Sequence, residues 1–302
     1  MQFGANTFIW ESPFSTAKHL PLLEKVHDMG FDLIEIAVED PTLIDVAALQ
    51  EALERNRLGA VVCGAFGPDR NLSSSDPQKR RNAGDYVRWC IDAASRLGAS
   101  IVCGPIYSAV GKARLSDALE RAAEWERAVN GLQSLAAYAG DHGVRLAFEP
   151  LNRFETDMVN IVEQGLQLID DVGSPHLGLH LDTFHMHLEE KSTPAAIRLA
   201  GERVFHVHAC ENDRGVPGTG QVDWRGMAQA LQEIDYEGAV VIESFTPEVT
   251  SIARAVCIWR EIAPDQDTIA AQGLEFLQAL FRNTASGDGP LEQQARSSEE
   301  SR

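Results

Sequence analysis

The sequence predicts an α/β fold, a (β/α)8 TIM barrel, and three observations carry that expectation. Short apolar runs alternate eight times with stretches of helical periodicity. The last four runs each close on a residue able to bind a metal: Glu149, Asp182, His208 and Glu243. Their intervals of 33, 26 and 35 residues fit repeated β/α units, since a strand, a helix and a return to a parallel neighbour take about 30 residues.

The first strand is expected at Phe3 to Phe8, followed by an amphipathic helix from Ala17 to Gly30, where glycine ends it. Leu33 to Ile36 forms the second strand and Val46 to Arg57 its helix. Ala60 to Cys63 begins the third, and the Gly, Pro, Asn and Ser of residues 64–76 mark a loop before a helix from Gln78 to Leu97. Ser100 to Gly104 is the fourth strand. Ser116 is placed to cap a helix running to Gly140.

Val144 to Phe148 is the fifth strand, stopped at Glu149 because Pro150 has no N–H for the ladder. Alternation puts Arg145, Ala147 and Glu149 on one face. A helix from Met158 to Val172 leads to the sixth strand, Leu177 to Asp182. Thr193 and Pro194 signal the next helix start, the hydroxyl as cap and proline in the first turn. Val204 to His208 is the seventh strand. The loop Pro217 to Gly220 precedes a helix from Trp224 to Ile234 capped by Asp223, and Ala239 to Glu243 is the eighth strand. Helices are expected at Val249 to Ile262 and Asp267 to Phe281. One domain over 1–285 is predicted, with a polar tail over 286–302 that has too little to bury to fold.

Bulk properties exclude several classes. The 44% hydrophobic content is enough for a large core, yet no apolar run is long enough for a bilayer and the N-terminus lacks a charged leader. A soluble, cytoplasmic protein without membrane partners is expected. A net charge of −19 argues against nucleic acid. The 5 cysteines form no Cys-x-x-Cys pair and are read as buried thiols.

Two glutamates, one aspartate and one imidazole make a mostly hard donor set. It suits Mn2+ best, with Co2+ or Mg2+ next, in a site with open positions for substrate oxygens. A single acid at a strand end is more often solvated, but four in register at the catalytic end of a barrel reverse that reading. His180 and His206 precede two of the ligands by two residues and are expected one layer deeper, supporting them. Glu35 lies on the inward parity, facing either the pocket or a core partner.

The runs Phe148-Glu149-Pro150-Leu151-Asn152-Arg153-Phe154-Glu155, His180 to His185, His206 to Asn212 and Val241 to Phe245 resemble ketohexose 3-epimerases. These are the D-tagatose and D-allulose (D-psicose) 3-epimerases of the sugar isomerase and apurinic-endonuclease-like barrels. Gly218 to Trp224 matches as well, and the resemblance covers about residues 1–283. It implies metal-dependent C3 epimerisation of free ketohexoses, D-fructose to D-allulose and D-tagatose to D-sorbose, through a cis-enediolate. It further implies that Glu149, Asp182, His208 and Glu243 hold the metal and that Glu149 and Glu243 exchange the C3 proton. Glu155, His185 and Arg214 would hold the O1 to O3 end, and relatives form homodimers or homotetramers. Of the apolar candidates for the far end of the sugar, Phe8 is preferred over Trp10, Phe66 and Ile106, for which ordinary packing serves as well.

The chemistry agrees on separate grounds. Inverting a carbon needs proton removal on one face and return on the other, hence two bases about one carbon. The alternative is a keto-aldo sugar isomerase or hydroxypyruvate isomerase, which moves a proton between C1 and C2 with the same acid set. A retaining glycosidase would use two glutamates without Asp182 and His208. An apurinic endonuclease would need more metal ligands and a basic groove, and a non-catalytic sugar-binding barrel would not need both glutamates.

Overall fold

The computed structural model describes residues 1–114 and 116–286. Eight parallel strands close into a barrel in sequence order: β1 (Gln2–Asn6), β2 (Leu33–Val38), β3 (Gly59–Gly64), β4 (Ile101–Gly104), β5 (Arg145–Phe148), β6 (Leu177–Asp182), β7 (Val204–Ala209) and β8 (Ala239–Ile242). β1 pairs with β2 on one side and β8 on the other, which closes the ring. Both faces of these strands are covered, and β2 and β6 are buried at every residue. That is why they read as continuous apolar runs interrupted only by functional groups.

Eleven helices accompany them among the described residues: α1 (Thr16–His19), α2 (Pro21–Asp28), α3 (Val46–Asn56), α4 (Pro77–Leu97), α5 (Ala118–Asp141), α6 (Val162–Val172), α7 (Thr183–Glu189), α8 (Thr193–Ala200), α9 (Trp224–Glu233), α10 (Thr250–Ala255) and α11 (Gln266–Ser286). A large apolar layer joins the strands' outer faces to these helices. A separate cluster of Leu33, Val61, Cys63, Ile101, Cys103, Ala147 and Val241 fills the barrel interior. No described helix is long and apolar enough to cross a membrane.

Several boundaries differ from the sequence reading, each for a local reason. β1 stops at Asn6, whose side chain accepts from Phe8 N at 2.8 Å and turns Thr7–Ile9 into a 3-10 helix, so Phe8 leaves the strand. The expected helix from Ala17 to Gly30 is split, because Pro21 starts a second one. Asp117, not Ser116, caps α5 by accepting from Glu120 N at 2.9 Å. Ser192 replaces Thr193 as the cap of α8. α6 begins at Val162 rather than Met158. α7 is additional to the helices the sequence predicts; the Asp182 carboxylate caps it through Phe184 N at 2.6 Å. The helix expected to reach Ile262 ends at Ala255, with Cys257 left-handed at φ 59°, whereas α11 runs on to Ser286. Beyond Ser286 the expected tail lies outside the described residues.

Candidate active site

Strand alternation and parallel register build the site. Asp182 and His208 are direct partners across β6 and β7, as are His180 and His206 one layer below. Glu149 follows β5 immediately and Glu243 follows β8. All four predicted ligands therefore reach the C-terminal mouth, and all are buried. Their ligand atoms fall into overlapping sets within which every pair lies within 4.8 Å: Asp182, His208, Cys210 and Glu243; Glu149, His180 and His208; and Glu149, Asp182 and His185.

Beneath the mouth, Glu35 on β2 is fully buried and receives His206 Nε2 and His208 Nε2, each at 2.6 Å. Asn6 Nδ2 donates to it as well, at 2.6 Å. Burial opposes its charge, but the two imidazoles outweigh that and hold Glu35 well below the usual carboxylate range. With Nε2 committed to Glu35, His208 aims Nδ1 at the site, 3.5 Å from Glu243 and 3.9 Å from Asp182. That nitrogen is buried without a hydrogen-bond partner.

The electrostatics suit a cation. Burial, then Asp182 and Glu243, push Glu149 well above its usual range. Burial also acts against Asp182, but Arg214, His185 and His208 bring it down to about 2. Burial lowers His208, yet Glu35 and Glu243 outweigh it and hold its proton well above the usual range. Three buried carboxylates facing one unpartnered imidazole nitrogen fit a divalent metal, whose charge would favour the ionised form of Glu149.

The predicted substrate residues assemble around this cluster. Arg214 Nη1 lies 2.9 Å from both Asp182 Oδ2 and Glu243 Oε2, with its guanidinium carbon 4.0 Å from the Phe184 ring centre and 5.0 Å from that of Phe245. Its backbone is left-handed at φ 65°, a conformation disfavoured outside glycine. Arg214 N donates to Glu211 O at 2.9 Å, and Ser244 Oγ donates to Arg214 O. His185 Nδ1 accepts from Asn152 N at 3.1 Å. Its Nε2 faces the site, 3.7 Å from Glu149 Oε1 and 3.4 Å from Arg214 Nη2. Asn152 Nδ2 also donates to Glu155 at 2.8 Å, and Gly111 N fastens the Glu155 carbonyl at 2.8 Å.

Phe8 packs against Phe245 with ring centres 5.7 Å apart, beside Ala37. Trp10 instead donates from its indole to Asp267 at 2.7 Å, Phe66 packs edge-on against Tyr86, and Ile106 is core. The Tyr107 hydroxyl donates to Val159 O at 3.1 Å. A cavity of about 600 Å³ bordered by Arg145, Leu177 and Phe205 opens at the other end of the barrel, where the strands begin.

Sequence reasoning passed over Cys210, Phe245, Asn152 and Glu211. The first two were signalled, for they continue the inward parity of His208 and Glu243. Glu211 is buried and accepts from Asn212 N, Gly218 N, Gln221 N, Val222 N and Trp224 Nε1 at 2.8–3.0 Å. It ties down the loop that carries Arg214. A Cβ on Gly220 would stand 2.7 Å from the Glu211 carboxyl carbon, so only glycine admits this approach.

A buried carboxylate and histidine cluster at the mouth of a parallel barrel defines a candidate sugar isomerase or epimerase centre, and comparison with known proteins agrees. Residues 23–280 match the xylose isomerase-like TIM barrel family. L-ribulose 3-epimerase of Methylomonas sp. is 34% identical over 93% of this chain and 98% of its own length. D-psicose 3-epimerase of Agrobacterium fabrum is 32% identical over 88% and 93%. The structure of Methylomonas D-allulose 3-epimerase in complex with D-allulose superposes with a TM-score of 0.87 at 34% identity, covering 92% of this chain and 96% of that one. The chain belongs to the ketose 3-epimerase family of xylose isomerase-like barrels and is an isomerase.

Proposed function

We propose that this chain epimerises free ketohexoses at C3, interconverting D-fructose with D-allulose and D-tagatose with D-sorbose. The observation that carries the reading is that two buried glutamates, Glu149 and Glu243, belong to overlapping ligand sets that share Asp182 and His208. Those four residues would hold a divalent metal, Mn2+ by preference and Co2+ or Mg2+ otherwise. When bound, the metal supplies electrostatic stabilisation for charge developing on the substrate oxygens next to C3.

The protein's own groups do the rest. One glutamate removes the C3 proton, the carbon becomes planar as a cis-enediolate forms, and the other glutamate returns a proton to the opposite face. Arg214, stacked on Phe184 and near Phe245, and Nε2 of His185 grip the O1 to O3 end. Glu155 completes that end, and Phe8 with Phe245 forms an apolar border. The relatives are named for a ketopentose, L-ribulose, as well as a ketohexose, D-psicose, so L-ribulose belongs in the substrate panel.

Incubation with D-fructose followed by chromatography tests the reaction. D-Allulose is expected. Glucose or mannose in its place would shift the reading to a keto-aldo isomerase. Assembly as a homodimer or homotetramer is part of the same proposal. Exposed Phe154, on the loop leaving β5, and Trp259, between α10 and α11, are apolar surface available to a second copy, and sedimentation checks it.

A further inference from the structure

Cys210 is the first residue after β7 and lies two positions past His208. Its thiol is fully buried, 3.2 Å from Asp182 Oδ2, 3.0 Å from Arg214 Nη1 and 3.1 Å from the Glu243 carbonyl oxygen. Thr183 fixes it from behind: Thr183 Oγ1 accepts from Cys210 N at 2.8 Å and donates to Cys210 O at 2.6 Å. The sulfur belongs to the same set of mutually close ligand atoms as Asp182, Glu243 and the unpartnered, buried Nδ1 of His208.

We propose that Cys210 is a conditional metal ligand, engaged by thiophilic divalent cations such as Cd2+ and Zn2+ together with Asp182, His208 and Glu243, the cation displacing Arg214 Nη1 from Asp182, Cys210 and Glu243. This rests on the reading that the last three hold the metal. The two donor sets differ in one member. With Glu149 the set is oxygen and nitrogen only, suited to a hard ion that keeps open positions. With Cys210 it has four donors including sulfur, the number that a soft four-coordinate ion such as Zn2+ would take. In forming it the Sγ–H bond breaks, its proton passes to solvent and a metal–sulfur bond forms, with no change of oxidation state. The thiol thus sorts cations, since soft ions close the centre and leave Glu149 outside it, whereas hard ions leave the thiol protonated.

The test is ultraviolet difference spectroscopy of metal-stripped, full-length protein titrated with Cd2+. A Cys257→Ser background removes the exposed thiol. A thiolate-to-cadmium charge-transfer band saturating at one equivalent is expected, with none on adding Mn2+. The band should vanish in Cys210→Ser and persist in Cys103→Ser, which removes the thiol beside Glu35. No band in the parent protein, a band surviving in Cys210→Ser, or loss in Cys103→Ser would overturn the proposal. Should Cys210→Ser not fold, 113Cd NMR of the parent protein decides: a resonance shifted downfield, as one thiolate ligand requires, is expected, and a shift typical of oxygen and nitrogen ligands alone would refute it. Calorimetry of Mn2+ binding separates the two readings. Unchanged Mn2+ affinity in Asp182→Asn would sink the metal centre itself, whereas weakened Mn2+ binding without a Cd2+ band sinks only the role of Cys210.

Discussion

Glu35 Oε1 lies 2.6 Å from His208 Nε2, and this contact fixes which imidazole nitrogen faces the barrel mouth. A carboxylate behind a ligating histidine orients the ring and strengthens it as a donor, and its loss typically weakens metal binding about 10- to 100-fold. Glu35→Gln is expected to lower Mn2+ affinity on that scale in isothermal titration calorimetry. Affinity within twofold of the parent would show that His208 needs no such partner.

Glu149→Gln and Glu243→Gln each remove one of the two bases. At saturating metal and sugar, kcat is expected to fall by at least about 100-fold in either variant. Turnover near the parental rate in either one would exclude a two-base mechanism, because one glutamate alone returns the proton to the face it left.

Arg214 occupies a left-handed backbone position and a polar slot between Asp182 and Glu243. Hydrogen bonds to a charged group contribute about 1.5–3 kcal/mol, so Arg214→Ala should raise KM by roughly 10- to 100-fold. The effect on kcat should be smaller. A KM equal to the parent's would remove Arg214 from the substrate site.

Glu211 links stability to pH. Burial opposes its charge, but bonds from Asn212, Trp224, Val222 and Gly218 outweigh that and lower its pKa. A depressed carboxylate stabilises the fold fully above its unfolded pKa of about 4.3 and loses that contribution as pH falls through the lower folded value. Glu211→Ala should cost at least about 2 kcal/mol near neutral pH by leaving buried donors unpaired. In urea titrations, part of the parent's loss of stability below about pH 4.3 should be absent from the variant. Identical acid profiles would contradict the assignment.

What the chain announced beforehand followed from the rigid periodicity of strands. Period-two alternation and parallel register place Glu149, Asp182, His208 and Glu243 at one end once the eight strands are recognised, and the same rule put His180 and His206 below them. The rest depended on long-range partners. Whether Glu35 faced the pocket or a core group was open until residues 171 and 173 positions away met it. Cys210 carried the right parity, but a thiol two places past His208 reads equally well as packed or as a ligand until its neighbours in space are known. Asn152 and Glu211 work through loop backbone that no periodicity describes. Boundaries slipped where a nearby side chain captured the backbone first, as at Asn6, Asp117 and Ser192.

The most direct test of the central claim is proton NMR of D-fructose and D-allulose in D2O with the metal-loaded enzyme, repeated after exhaustive chelation. Deuterium should enter at C3 as the two sugars interconvert. That exchange should stop on chelation and return with Mn2+ or Co2+. Exchange at C1 with aldose formation, or C3 exchange indifferent to chelation, would contradict a metal-dependent C3 epimerase.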